Sequence, residues 1–127
     1  MALFDRAWME TWRRMVNADA GLRVIARYFT ADLVFSFGDA AYVVSIKNGA
    51  IDQIHDVTGP SPAGGLALRG PREVWEQFVQ PIPPPRYNGI FPLVFSKLLT
   101  MEGDEIIFWQ NLRALTVMTH LMRAASR

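Results

Sequence analysis

A chain of 127 residues, half of them apolar and 20% charged, has the length of one domain and can bury roughly two-thirds of the surface its unfolded form exposes. Disorder and a multidomain organisation are excluded. Thirteen Lys and Arg against twelve Asp and Glu leave a formal charge of +1, which provides neither a broad basic field for nucleic acid nor an acidic tail.

No cysteine is present, so disulfides, thiolate chemistry and Cys-based metal or iron–sulfur sites are ruled out. Asp5 and Glu10 interrupt the N-terminal stretch, which therefore lacks the h-region of a secretory signal. The greasiest stretch, Ile106 to Met122, is broken by Gln110, Asn111, Arg113 and His120, too polar for a membrane span of about 20 residues. A soluble, cytoplasmic chain without stable membrane insertion is expected.

Phe4, Trp8, Trp12 and Met15 recur at helical spacing, predicting an amphipathic helix over about residues 4–17. Asp19 is placed to cap a second helix with Leu22, Ile25 and Phe29 inward. From Leu33 the period changes to two: Leu33–Phe37 and Tyr42–Lys47 form a hairpin about Gly38–Asp39. Asn48–Gly49 suits a type I′ turn, in which both central residues need positive φ, and leads into a strand near Ala50–Asp56. Thr58 to Gly65 reads as a loop and Leu66–Arg69 as a short strand. Gly70–Pro71 then opens a helix carrying Val74, Trp75, Phe78 and Val79 on one side. Pro81 stops that helix, and residues 81–89 form an extended surface connection. Ile90, Phe91, Leu93 and Val94 follow as a greasy edge beside this stiff segment, placed to form a pocket entrance. Leu98–Met101 is the last strand. Asp104 caps one continuous C-terminal helix to about Ala124.

Placed at about 100° intervals, Phe108, Leu112, Ala114, Leu115, Met118 and Met122 share one broad face of this last helix, with Ile106, Val117 and Leu121 as a second strip. The arc is wider than one sheet needs. A second apolar neighbour is required: the N-terminal helices, another subunit or a bound apolar molecule. Asn111 falls within the broad face, where an unpaired amide would cost about 1–3 kcal/mol. Its partner is a backbone group, a buried water or a ligand head group.

Catalytic signatures are missing. His55 and Asp56 point to opposite faces of a strand, and His120 lies far along the chain, so no metal-ligand spacing arises. Glu102 and Asp104 are explained as a strand-end residue and a helix cap. Neither a nucleophile elbow nor a phosphate loop is present. No catalytic residue, metal ligand or cofactor is predicted.

The run Leu33-Val-Phe-Ser-Phe37, Tyr42-Val-Val-Ser-Ile46, Asn48-Gly49-Ala-Ile51, Leu66-Ala-Leu-Arg-Gly70 before Val74-Trp75, and Lys97-Leu-Leu-Thr-Met101-Glu102-Gly103-Asp104 resembles the sterol carrier protein type 2 family of lipid-binding domains. The resemblance covers roughly residues 31–120 and departs from the pattern at Gly64–Gly65, at Ser96 and in the proline segment 81–85. It implies a single α+β (α/β) domain, with a mostly antiparallel five-stranded sheet covered by helices and an apolar tunnel between them. The function expected is noncatalytic carriage of a small apolar or amphipathic molecule: a fatty acid, an acyl derivative or a sterol. Phe108, Asn111, Leu112, Leu115, Met118 and Met122, with Arg86, Phe91 and Val94 at the entrance, are the expected ligand contacts. Two other readings remain. An exposed Trp8/Trp12 face would make the chain a homodimer subunit or interaction module, and perturbed carboxylates in the cavity would make it an enzyme.

Overall fold

The computed structural model describes residues 2–57 and 65–127; the loop expected over Thr58–Gly65 lies outside the described residues as far as residue 64. The first helix, α1 (Arg6–Ala18), starts where the Asp5 carboxylate accepts from the Trp8 amide at 2.7 Å. Phe4, expected inside this helix, precedes it with φ 63°, and this turn swings its ring into the core. Asp19 closes α1 and caps α2 (Ala20–Ile25), accepting from the Leu22 amide at 2.9 Å.

Strands β1 (Ala31–Phe37), β2 (Ala40–Lys47) and β3 (Ala50–Asp56) form the predicted antiparallel meander. Asn48 and Gly49 both have positive φ, as a type I′ turn demands. Gly49 is doubly required: its amide donates to the Phe29 carbonyl at 2.9 Å, and a Cβ there would lie 2.5 Å from the Ala26 carbonyl oxygen. β4 (Leu66–Gly70) joins the other side of β1 in parallel, and β5 (Thr100–Gly103) pairs antiparallel with β4. The sheet order is β3-β2-β1-β4-β5. Three of the four pairings are antiparallel, as expected, and the mixed sheet with its helices is an α+β fold.

Between the last two strands lie α3 (Arg72–Phe78) and α4 (Ile90–Phe95). The second was not expected, because Ile90, Phe91, Leu93 and Val94 were read as a greasy edge with no helix assigned. The proline run ends at Pro85, before the helix, and Pro92 falls in its first turn, where the missing N–H removes no intrahelical bond. The last strand also starts two residues later than expected. Lys97 takes φ 62°, and the amides of Leu98 and Leu99 both donate to the Leu93 carbonyl, turning the chain before it can pair with β4.

The C-terminal helix is two helices, α5 (Glu105–Gln110) and α6 (Leu112–Ala125). Asn111 breaks them with φ −120° and ψ 23° while its Nδ2 donates back to the Ile107 carbonyl at 2.9 Å. Asparagine side chains compete in this way with helical backbone bonding. The wide apolar arc therefore belongs to two helix axes. None of the described helices is long and apolar enough to cross a membrane.

One face of the sheet carries Leu33, Phe35, Phe37, Tyr42, Val44, Ile46 and Leu68 into the core. Trp12 meets Phe35 edge-on at 5.5 Å, Trp8 meets Phe37 at 5.9 Å, and Trp75 meets Phe37 at 4.8 Å. All three indoles are satisfied: Trp8 donates to Ser126 Oγ, Trp12 to the Met118 carbonyl and Trp75 to the Ser36 carbonyl. Trp8 and Trp12 are 1% and 0% exposed. The face offered for homodimer pairing is thus consumed within the chain, and α1 is the second apolar neighbour that α6 required.

Candidate functional site

The expected ligand contacts fall into three settings. Phe108 on α5 and Leu115, Met118 and Met122 on α6 lie in the interior at 0%, 0%, 1% and 0% exposure. A side chain without accessible surface borders neither solvent nor a void large enough for water, so these residues are packed against protein on all sides. Phe91, Val94, Asn111 and Leu112 are half-buried around the same layer. Arg86 is exposed on the proline segment, in left-handed conformation at φ 76°.

The structure brings some of these groups together. Trp109 of α5 stands between two of them, 5.0 Å from the Phe108 ring and 6.0 Å from the Phe91 ring of α4. Asn111 takes a backbone partner, its Nδ2 donating to the Ile107 carbonyl at 2.9 Å. Arg86 shares no hydrogen bond or ion pair with any of the others among the described residues.

Neither histidine is paired with a carboxylate among the described residues. His55 Nε2 lies 2.7 Å from Gln53 Oε1 on the exposed side of β3. His120 sits on α6 against the Phe78 ring and beside Gly89. Burial first, then the Arg123 charge, hold its imidazole below the ordinary histidine range, against a hydrogen bond that the ring donates to the Asn88 backbone carbonyl. Arg123 spans the proline segment at both ends: its Nε donates to the Phe78 carbonyl at 2.8 Å and Nη2 to the Tyr87 carbonyl at 3.1 Å, with the guanidinium 4.6 Å above the Phe78 ring.

The best-formed concavities among the described residues are lined by none of the expected ligand contacts. A cavity of about 220 Å³ is bordered by Asp32, Val34, Gly65, Leu66, Ala67, Glu102 and Gly103, where β1, β4 and β5 meet. Val34 and Ala67 alternate with the core residues Leu33, Phe35, Leu66 and Leu68, so this cavity opens on the sheet face away from that core. Sequence reasoning missed it. Its only local signal was the pair of glycines: Gly103 has φ 95°, and a Cβ on it would collide with the Gly65 carbonyl oxygen. Glu102 at its rim is held by Arg69 Nε at 2.8 Å.

No protein-family model and no curated protein matches the chain. Solved structures do. Sterol carrier protein 2 superposes with a TM-score of 0.79 over 96% of this chain and 98% of its own, at 17% identity. A Thermus thermophilus protein described as a possible sterol carrier protein gives 0.78 over 98% of this chain and 90% of its own, at 18% identity. A UbiJ-SCP2 ubiquinone synthesis protein gives 0.56 over 89% and 90%, at 10% identity. The five-stranded order, the helical cover and these superpositions together establish that the chain has the sterol carrier protein 2 fold.

Proposed function

We propose that the chain is a noncatalytic carrier of one small apolar or amphipathic molecule (a fatty acid, an acyl derivative or a sterol) that acts in the cytoplasm as a single domain. The observation that carries this reading is the superposition on sterol carrier protein 2 over nearly the whole of both chains. In this reading the ligand's apolar part occupies the layer between the sheet and α4–α6, against Phe108, Leu112, Leu115, Met118 and Met122, with Phe91 and Val94 at the mouth. Arg86 meets a carboxylate near water, where a charged head group is cheapest to keep; Asn111 is the alternative donor once released from Ile107.

Because Phe108, Leu115 and Met122 are fully packed, a ligand must displace them. The break at Asn111 lets α5 move without unwinding α6, and the thioethers of Met118 and Met122 can repack around varied shapes. The closed packing itself favours a second reading, an interaction module without a small ligand. Native mass spectrometry of the purified protein with lipid extraction, followed by titration with fatty acids, acyl thioesters and sterols, separates the two. A stoichiometric adduct is expected; a protein that is empty and takes up none of these selects the second reading.

A further inference from the structure

An aromatic ridge runs across α4 and α5. Phe95 is 78% exposed and meets Phe91 at 5.6 Å, and Phe91 meets Trp109 at 6.0 Å. Trp109 is 53% exposed, and Ile106, three residues earlier on the same helix, is 60% exposed. The remaining large exposed apolar side chains, Val24, Tyr28 and Ile82, belong to no such ring cluster. Single exposed apolar residues need no explanation, whereas a contiguous patch does.

We propose that this ridge docks on the lipid–water interface of a zwitterionic phospholipid membrane. Exposure is the first argument. Phe95, Ile106 and Trp109 stand in solvent from two adjoining helices, and a fluid membrane interface conforms to exposed side chains without needing a complementary groove. Chemistry is the second. Trp and Phe beside cationic side chains match the boundary between head groups and acyl chains. Charge is the third. Lys97, two residues beyond Phe95, and Arg113, four beyond Trp109, are exposed and without an ion pair among the described residues, and they face phosphate. Asp104 and Glu105, exposed at the start of α5, suit a choline-type ammonium and oppose any strong demand for anionic lipid. The inference rests on the carrier reading for its purpose, because α4 and α5 are the helices whose inner residues would admit the ligand. The test, however, needs no ligand.

Trp109 is its own reporter, since Trp8, Trp12 and Trp75 are buried with their indole N–H groups bonded. The full chain is mixed with phosphatidylcholine vesicles and followed by flotation and by tryptophan emission. Flotation with the vesicles, a blue shift that vanishes in Trp109→Phe, and little loss in high salt are expected. Phe95→Ser with Ile106→Ser, both on exposed side chains, should weaken flotation by about tenfold or more without altering the far-ultraviolet spectrum or uptake of a free fatty-acid probe. The proposal is overturned if wild-type protein fails to float, if the double variant floats equally well, or if sedimentation shows a dimer that the double variant dissociates. That last outcome would assign the ridge to a second copy. Failure of fatty-acid uptake with flotation intact would count against the carrier reading alone.

Discussion

Asn17 of α1 holds Ile51 of β3 by both backbone groups: its Oδ1 accepts from the Ile51 amide at 2.8 Å and its Nδ2 donates to the Ile51 carbonyl at 3.0 Å. One side chain thus imitates a neighbouring strand. Arg13 adds bonds to the Ile51 and Asp52 carbonyls, and Arg6 donates to the Ile54 carbonyl. β3 is an edge of the sheet, and unpaired edges recruit other chains. The polar side of α1, which periodicity marks only as solvent-facing, is a cover for that edge.

Asn17→Ala leaves the Ile51 amide to water and the Ile51 carbonyl to Arg13 alone, and loosens the cover of the edge. A loss of about 1–3 kcal/mol in urea unfolding is expected, with faster aggregation at raised temperature. Asn17→Asp keeps the acceptor and loses the donor, so it should fall between the two. Equal stability and equal aggregation in Asn17→Ala would show that water replaces the amide without loss.

Arg123 ties the proline segment closed through the Phe78 and Tyr87 carbonyls. Arg123→Ala removes two charge-assisted bonds and the stacking on Phe78, a loss of about 2–4 kcal/mol. Arg123→Lys should recover less than half, because an ammonium cannot present the two-pronged geometry. Limited proteolysis within residues 79–87 reads the same event locally: faster cutting is expected in both variants, and an unchanged rate in Arg123→Ala would mean the segment is held by other contacts.

The hairpin turn at Asn48–Gly49 and the caps at Asp19 and Asp104 were legible because each depends on a few adjacent residues. The break at Asn111 was not, since an amide that bonds Ile107 looks the same in a periodicity plot as one facing a ligand. Helix α4 was obscured by the proline run before it, although Pro92 sits where a helix tolerates it. The candidate site shows the same limit. That Phe108, Leu115, Met118 and Met122 are apolar and turned inward follows from spacing, but whether they border a void depends on distant chain. Trp12 reaches the Met118 carbonyl from the other end of the sequence and helps to fill the space beside it. The cavity near Gly65 and Gly103 arises from β4–β5 register, which no local pattern encodes.

His120 gives the fold a pH dependence whose direction follows from its surroundings. Burial and Arg123 hold the folded imidazole below its ordinary value, so the unfolded chain takes up the proton first. This contribution to stability is intact above the ordinary histidine pKa of about 6.5. It declines as pH falls from there toward the depressed folded value. His120→Gln should flatten this part of the profile in thermal melts between about pH 5 and 8. A slope unchanged by that substitution would assign the dependence to other groups.

Met122 offers the sharpest test of the apolar layer. It is 0% exposed, so Met122→Ala removes a filled volume and should cost about 2–5 kcal/mol. If the carrier reading holds, that volume lies along the ligand's path, and an apolar ligand can occupy what the side chain vacates. A fatty acid at about 100 times its Kd should then restore about 2.7 kcal/mol. The melting temperature should rise with ligand concentration in both proteins, more steeply for Met122→Ala because there the ligand need not first displace a packed thioether. Differential scanning calorimetry across a ligand series checks this. Stabilisation equal in the two proteins would place the ligand away from Met122, and no stabilisation in either would leave the layer as core alone.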